Sequence, residues 1–367
     1  MPRQLLPSLL RLRWPALALT AALLLTQIPR LIAAAYTNSS AVALNEAQAV
    51  PDVLSDNQAA AYARAAQSAQ QALRISPDLS GPYANLGAIY LDHGYHEEAA
   101  QAYGEATRND PDDRLAQFFY GHALAALGYE AQAREAWTAA QAGVFFAKRA
   151  RDLRTSDPGA AARDAERAVD IVPDDPESTM ALSSVLTAQK RYTEALTSVE
   201  AAIVRIPAAP QLHTEAGKLH RRLSQDDTAI VAFGQAISLA RPDSPDDLAA
   251  RLELARVYVK RGACYEAEAW LAPMLAQRPL ESRAKTAYAL AGQCHLAQGN
   301  VQTSLTYLEA LAAVPEPRVN DLLLLGRAYE AAGRLQDARG VYSWVLALKP
   351  DNGTAKQALE RLAEQAP

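Results

Sequence analysis

Bulky rings are scarce in this sequence. Only 7% of its 367 residues are aromatic and three are Met, although half of the chain is apolar. The apolar share is therefore mostly Ala and Leu, with Ala alone about a fifth of the chain. Both favour helices, whereas strands draw on Val, Ile, Thr and aromatics. That balance argues against a β-sandwich and against a large parallel-sheet enzyme. Two Cys and six scattered His exclude a disulfide-rich scaffold and most structural zinc sites. A formal charge of −5 speaks against a general nucleic-acid binder. Catalytic signatures are missing too: there is no G-x-S-x-G, H-E-x-x-H, Walker loop or G-x-G-x-x-G. The length admits two or three domains or one repeat array, and the apolar content is enough to fold.

Charge is also absent from residues 14–28. Arg3, Arg11 and Arg13 precede this run, Pro29 and Arg30 interrupt it, and residues 31–36 are apolar again. Residues 14–36 together match a hydrocarbon core of about 30 Å. Arg30 then sits near the far end, where a long side chain snorkels to the interface. The expectation is a basic cytoplasmic N-terminus at 1–13, a transmembrane anchor at 14–36, and the rest of the chain across the membrane by the positive-inside rule. A cleaved signal peptide competes, with an apolar core at 16–25 and Ala33-Ala34-Ala35 as the cleavage site; it gives a secreted protein. Residues 37–56 read as a linker, because Thr37-Asn38-Ser39-Ser40 and Pro51-Asp52 are turn formers.

Beyond the linker the chain repeats itself. Pro77-Asp78, Asp110-Pro111-Asp112, Pro173-Asp174, Pro242-Asp243 and Pro350-Asp351 form a series with Pro207, Pro279 and Pro315. Most successive intervals are 34 to 37 residues; the step of 62 from Pro111 to Pro173 holds two repeats, one of them shortened. Between the prolines the pattern is helix, short turn, helix. In residues 80–111, Tyr83, Leu86, Gly87 and Tyr90 share one helical face, His93-Gly94 end that helix, and Ala99, Tyr103 and Ala106 share the next. Gly87 and Ala99 let the two helices approach, and Tyr90 and Tyr103 fill the space beside them.

This spacing resembles the tetratricopeptide repeat, in which a large residue, Leu, Gly and Tyr mark the first helix and Ala, an aromatic, Ala and Pro mark the second. The match recurs at Leu182, Leu186, Ala195, Ala202 and Pro207; at Gly217, His220, Ala229, Phe233 and Ala236; and at Leu322, Leu325, Gly326, Tyr329, Gly333, Ala338, Tyr342 and Pro350. The resemblance covers roughly residues 57–350. It implies an all-α solenoid with a right-handed superhelix: a half-repeat or cap helix at 57–79, an array at 80–350 and a capping helix at 351–367. The array divides into 80–113, 114–141, 142–175, 176–209, 210–247, 248–283, 284–318 and 319–350. Residues 142–173 are degenerate, with Lys148 and Arg149 where Leu and Gly are expected.

The resemblance further implies that ligands lie in a concave groove lined by the first helix of each repeat. On that face the candidate protein-binding residues are Lys218, Arg221, Arg222, Arg256, Lys260 and Arg327, partly offset by Glu215 and Glu253. They suit an acidic or extended segment of a partner protein, although an ordinary solvated helix face would look similar. Asn85 stands at one Asn position of the chaperone-tail clamp found in some members, but Leu115 and Phe119 stand where that clamp needs basic residues. His93 and His96 share one loop without a third ligand, so no metal is expected. Acidic pairs such as Asp112-Asp113 and Asp174-Asp175 fall where helix N-caps are needed. Cys264 and Cys294 are a candidate disulfide, because export favours oxidation and stacked repeats bring those positions together.

The expected function is a non-enzymatic scaffold, membrane-anchored, facing an envelope or membrane protein, with no cofactor and no nucleic acid. The alternatives are a secreted cell-wall or polysaccharide-associated protein and an accessory subunit of a membrane enzyme.

Overall fold

The computed structural model describes residues 6–49, 56–277 and 281–364, with side chains within 27–49, 57–277 and 281–364. The marker Pro279 lies outside these residues. Among the described residues all regular structure is helical, in nineteen helices. They pair as hairpins: α1 (Leu6–Gln48) with α2 (Asp56–Ile75), α3 (Ser80–Asp92) with α4 (His96–Asn109), α5 (Arg114–Ala126) with α6 (Glu130–Ala139), and α7 (Gly143–Leu153) with α8 (Pro158–Ile171). Then come α9 (Pro176–Ala188) with α10 (Tyr192–Arg205), α11 (Pro210–Arg222) with α12 (Asp226–Leu239), and α13 (Pro245–Lys260) with α14 (Cys264–Leu275). The last are α15 (Ser282–Ala297) with α16 (Val301–Ala312) and α17 (Val319–Ala331) with α18 (Leu335–Leu348), followed by α19 (Gly353–Glu364).

The chain forms two compact units: Met1–Asp152 with Arg163–Pro173, and Leu153–Ala162 with Asp174–Pro367. Within each, a hairpin's first helix also touches the first helix of the next hairpin, through α1, α3 and α5 in one and α9, α11, α13, α15 and α17 in the other. Each unit thus has its successive first helices side by side along one face.

Two local devices recur along the hairpins from α3 onward. The first is the turn. The amide of Tyr95 donates to the carbonyl of Tyr90, and the same i to i−5 bond recurs at Tyr129, Arg191, Gln225, Ala263, Asn300 and Arg334. This bond ends a helix through one residue with positive φ. Gly94, Gly128, Gly262, Gly299 and Gly333 take that role, and Lys190 and Ser224 adopt the same conformation without being glycine. The second device is a close approach. A Cβ on Gly87 would stand 2.7 Å from the Tyr103 ring, one on Gly217 2.5 Å from Phe233, and one on Gly326 2.6 Å from Tyr342. The ring of the second helix is seated on the bare backbone of the first, and Tyr103, Phe233 and Tyr342 are buried. Truncating such a ring to Ala costs about 3–5 kcal/mol.

Several caps follow the sequence. Asp113 and Asp175 accept from the first-turn amides of α5 and α9, and Ser244 does so for α13. Asp226 and Asp227 lie instead inside the first turn of α12, behind Gln225.

The N-terminal region departs from expectation. Residues 37–48, expected as linker, continue α1 without a break. Helix α2, expected as a half-repeat, has α1 as its full partner. The reason is small side chains. Ala33, Ser40, Ala43 and Ala47 on α1 and Ala61, Ala65, Ala69 and Ala72 on α2 are all buried, so the helices lie close, and Ser40 Oγ donates to the Ala65 carbonyl at 2.8 Å. Thr37 Oγ1 turns back to the Ala33 carbonyl at 2.9 Å, which lets a turn former sit inside a helix. The end of the expected span 14–36 also joins this hairpin: Arg30 pairs with Asp78 at 3.3 Å and Ala33 is fully buried. Among the described residues no helix is long and apolar enough to cross a membrane.

Candidate functional site

The first-helix face of the second unit holds the candidate residues read from sequence. A groove of about 640 Å³ is lined by Arg154, Met180, Ser184, Thr187, Glu215, Lys218 and Arg222. Arg154, just beyond α7, donates from Nη1 to Ser184 Oγ at 2.6 Å. Glu215 accepts from Ser183 Oγ at 2.8 Å and from Lys218 Nζ at 3.3 Å. The Arg222 guanidinium lies over the Tyr192 ring, 5.5 Å from its centroid. Three cations and one carboxylate thus line the same groove. A second groove of about 370 Å³ is lined by Arg256, Leu290, Gln293, Arg318, Asn320 and Leu324 among others.

The six candidate cations do not act as one stripe. Lys218 and Arg222 share the larger groove, and Arg256 lines the smaller. Arg221 and Arg256 converge on Glu253, at 3.0 and 3.4 Å. Lys260 reaches back to Asp226 at 2.7 Å, beside the Arg261–Asp227 pair, and lines neither groove. Arg327 is exposed and also lines neither. Sequence reasoning missed Arg154, because it lies inside the degenerate repeat, between α7 and α8.

Cys264 and Cys294 are bonded, with sulfurs 2.01 Å apart and Cα atoms at 5.6 Å. The bond ties the start of α14 to the end of α15. Beside it the buried His295 meets Glu268 at 2.8 Å, with the Tyr307 ring stacked against it and the Tyr265 ring edge-on. Burial, then a hydrogen bond to Glu268, pushes the Tyr307 hydroxyl well above the usual phenol range. No group of three or more His, Cys, Asp or Glu that could hold a metal ion occurs among the described residues.

The first-helix face of the first unit is different in kind. A groove of about 260 Å³ is lined by Leu44, Asn45 and Gln48 of α1, Asn85, Ala88, Leu91 and Asp92 of α3, Tyr103 of α4, and Leu115, Ala116 and Phe119 of α5 beside its cap Asp113. Asn85 Nδ2 donates to the Thr37 carbonyl at 3.3 Å. Asp92 Oδ2 accepts from Tyr62 OH at 3.0 Å and Gln48 Nε2 at 2.8 Å. Burial and then this carboxylate push the Tyr62 hydroxyl up to about 12. Leu115 keeps 66% of its surface in solvent. Sequence reasoning used Asn85, Leu115 and Phe119 only to set one clamp aside and did not see that they line a groove.

The description Tetratricopeptide repeat matches residues 81–113, 151–212, 227–291 and 290–353. No curated protein matches the chain in sequence. Among solved structures, PilW, described as a widely conserved type IV pilus biogenesis factor, is 21% identical over 60% of this chain and 99% of its own, with a TM-score of 0.52. PilF of Pseudomonas aeruginosa is 12% identical over 62% and 98%, with a TM-score of 0.49. A tetratricopeptide repeat protein of Parabacteroides merdae is 15% identical over 77% and 98%, with a TM-score of 0.44. These likenesses concern the fold.

Proposed function

The chain belongs to the tetratricopeptide-repeat family, and from that premise we propose that it is a non-enzymatic scaffold whose second unit docks an acidic, extended segment of another protein. The observation that carries this reading is the groove in which Arg154, Lys218 and Arg222 outnumber Glu215. Ser184 and Thr187 add hydroxyls for a peptide backbone or carboxylate. The partner is an envelope or membrane protein. The scaffold sits on the extracytoplasmic side of the cytoplasmic membrane, held by its N-terminal apolar run. A disulfide suits that oxidising side. Retention of the run, rather than cleavage after Ala35, is supported by the Arg30–Asp78 pair and the burial of Ala33.

Fluorescence anisotropy with a labelled Glu-Ser peptide tests the docking. Reversing Lys218 and Arg222 to Glu should weaken it at least tenfold, about 1.4 kcal/mol, with helicity unchanged. Equal affinity would end the proposal. Protease added to spheroplasts should digest the repeats without lysis; protection until lysis would refute the topology.

A further inference from the structure

We propose that the first-helix face of the first unit is a second docking site, for an extended segment of another protein in which a large apolar side chain stands next to Lys or Arg. The site uses different residues from the groove of the second unit and selects the opposite charge.

The walls are carbon. Leu44, Leu91, Leu115 and Phe119 come from three successive first helices, and Leu115 stands mostly in water. At about 260 Å³ the groove is smaller than the 300 Å³ or more of most cofactor pockets and suits one or two side chains. The charged residues lining it are the carboxylates Asp92 and Asp113, with no Lys or Arg among its walls. Both are already held in place. The bonds to Asp92 end on Oδ2, and the amides of Leu115 and Ala116 both donate to Asp113 Oδ1. Each carboxylate therefore keeps its second oxygen for an incoming ammonium or guanidinium. Asn85 donates through Nδ2 and keeps its carbonyl oxygen as an acceptor, and Asn45 lines the same wall. Polar amides inside an apolar groove suit a peptide backbone, which must not be buried without partners. Charge complementarity thus selects a basic-apolar segment and rejects the acidic one proposed for the second unit.

The test uses the full chain in non-ionic detergent and a labelled peptide, Gly-Ser-Leu-Lys-Phe-Lys-Ser-Gly. One control peptide carries Glu in place of Lys, and another carries Ser in place of Leu and Phe. The Lys peptide should bind saturably and both controls at least tenfold more weakly. Leu115→Lys should cost at least tenfold. Asp113→Asn, which keeps an oxygen to cap α5, should cost about threefold and flatten the salt dependence. Thermal unfolding of both variants should match the parent. Lys218→Glu with Arg222→Glu should leave this peptide unaffected, so failure of the acidic-segment reading and failure of this one are separable. Absence of saturable binding, equal affinity for the Glu peptide, or indifference to Leu115→Lys would overturn the proposal. So would a dimer in sedimentation that Leu115→Lys dissolves, because the occupant would then be a second copy of the chain.

Discussion

The two first-helix faces share a frame and differ in everything exposed on it. In the first unit Gly87 seats Tyr103, and in the second Gly217 seats Phe233, at the same sixteen-residue spacing. Around the first pair lie Leu115, Phe119, Asp92 and Asp113; near the second lie Arg222, Lys218 and Glu215. The buried register sets where first helices stand, and it leaves their outward positions free of packing constraint. Recognition can therefore change from one hairpin to the next without touching stability, as expected of an array in which each repeat is held by its neighbours.

A sharp difference between the units is covalent. Only the second holds a disulfide, closing a separation of 30 residues between Cys264 and Cys294. The chain-entropy relation gives such a loop about 3.5 kcal/mol. Replacing both Cys by Ser should raise hydrogen exchange in α13–α16 by the corresponding factor and leave α3–α6 unchanged. Equal loss of protection in both units would mean that they unfold as one, and the comparison would fail.

The shared frame is tested by the same lesion in each unit. Gly87→Val and Gly217→Val drive new atoms into Tyr103 and Phe233, and each should cost about 3 kcal/mol by overpacking. Gly340 is the control, since a Cβ there meets nothing within 4 Å. Gly340→Ala in the interior of α18 should be neutral or stabilising by about 0.5–1 kcal/mol. Thermal unfolding by circular dichroism reads all three. A tolerated Gly217→Val would show that the second unit does not depend on the register that built the first.

The frame was legible in the sequence because it is periodic. Gly, a ring sixteen residues later and a turn glycine between them recur often enough to survive Lys190 and Ser224 in place of glycine. The α1–α2 hairpin was not legible, because its contact is a seam of Ala and Ser, which carries no bulky marker and resembles a linker in composition. The site was legible only in part. Lys218, Arg222 and Arg256 fell on the expected face, but Lys260 is drawn to Asp226 by a charge in the preceding hairpin that helical spacing does not reveal. Arg154 and the apolar groove were missed because exposed positions do not repeat.

The smallest effect expected is a pH dependence peculiar to the first unit. His122 sits among the rings of Phe118, Trp137 and Phe146, with Nδ1 3.0 Å from the Phe118 carbonyl and 3.2 Å from Trp137 Nε1. Arg149 and Arg167 stand near it and Asp164 lies behind them, 3.2 Å from Arg149 Nε. Burial lowers the His122 pKa from 6.5; the two Arg add to this, while the Phe118 carbonyl and Asp164 oppose it. The native state therefore refuses a proton that the unfolded chain accepts, so stability held above about pH 6.5 is lost as pH falls through that value. Asp164 has the other sign. Burial raises its pKa from 3.8, so its contribution is present at low pH and is lost as pH rises through its folded value. The His122 window opens nearer neutrality. Exchange protection in α5 and α6 should therefore fall between pH 7.5 and 5.5, and His122→Gln should flatten that fall, because Gln does not titrate. An undiminished slope in the variant would assign the dependence to other groups and remove His122 from the comparison.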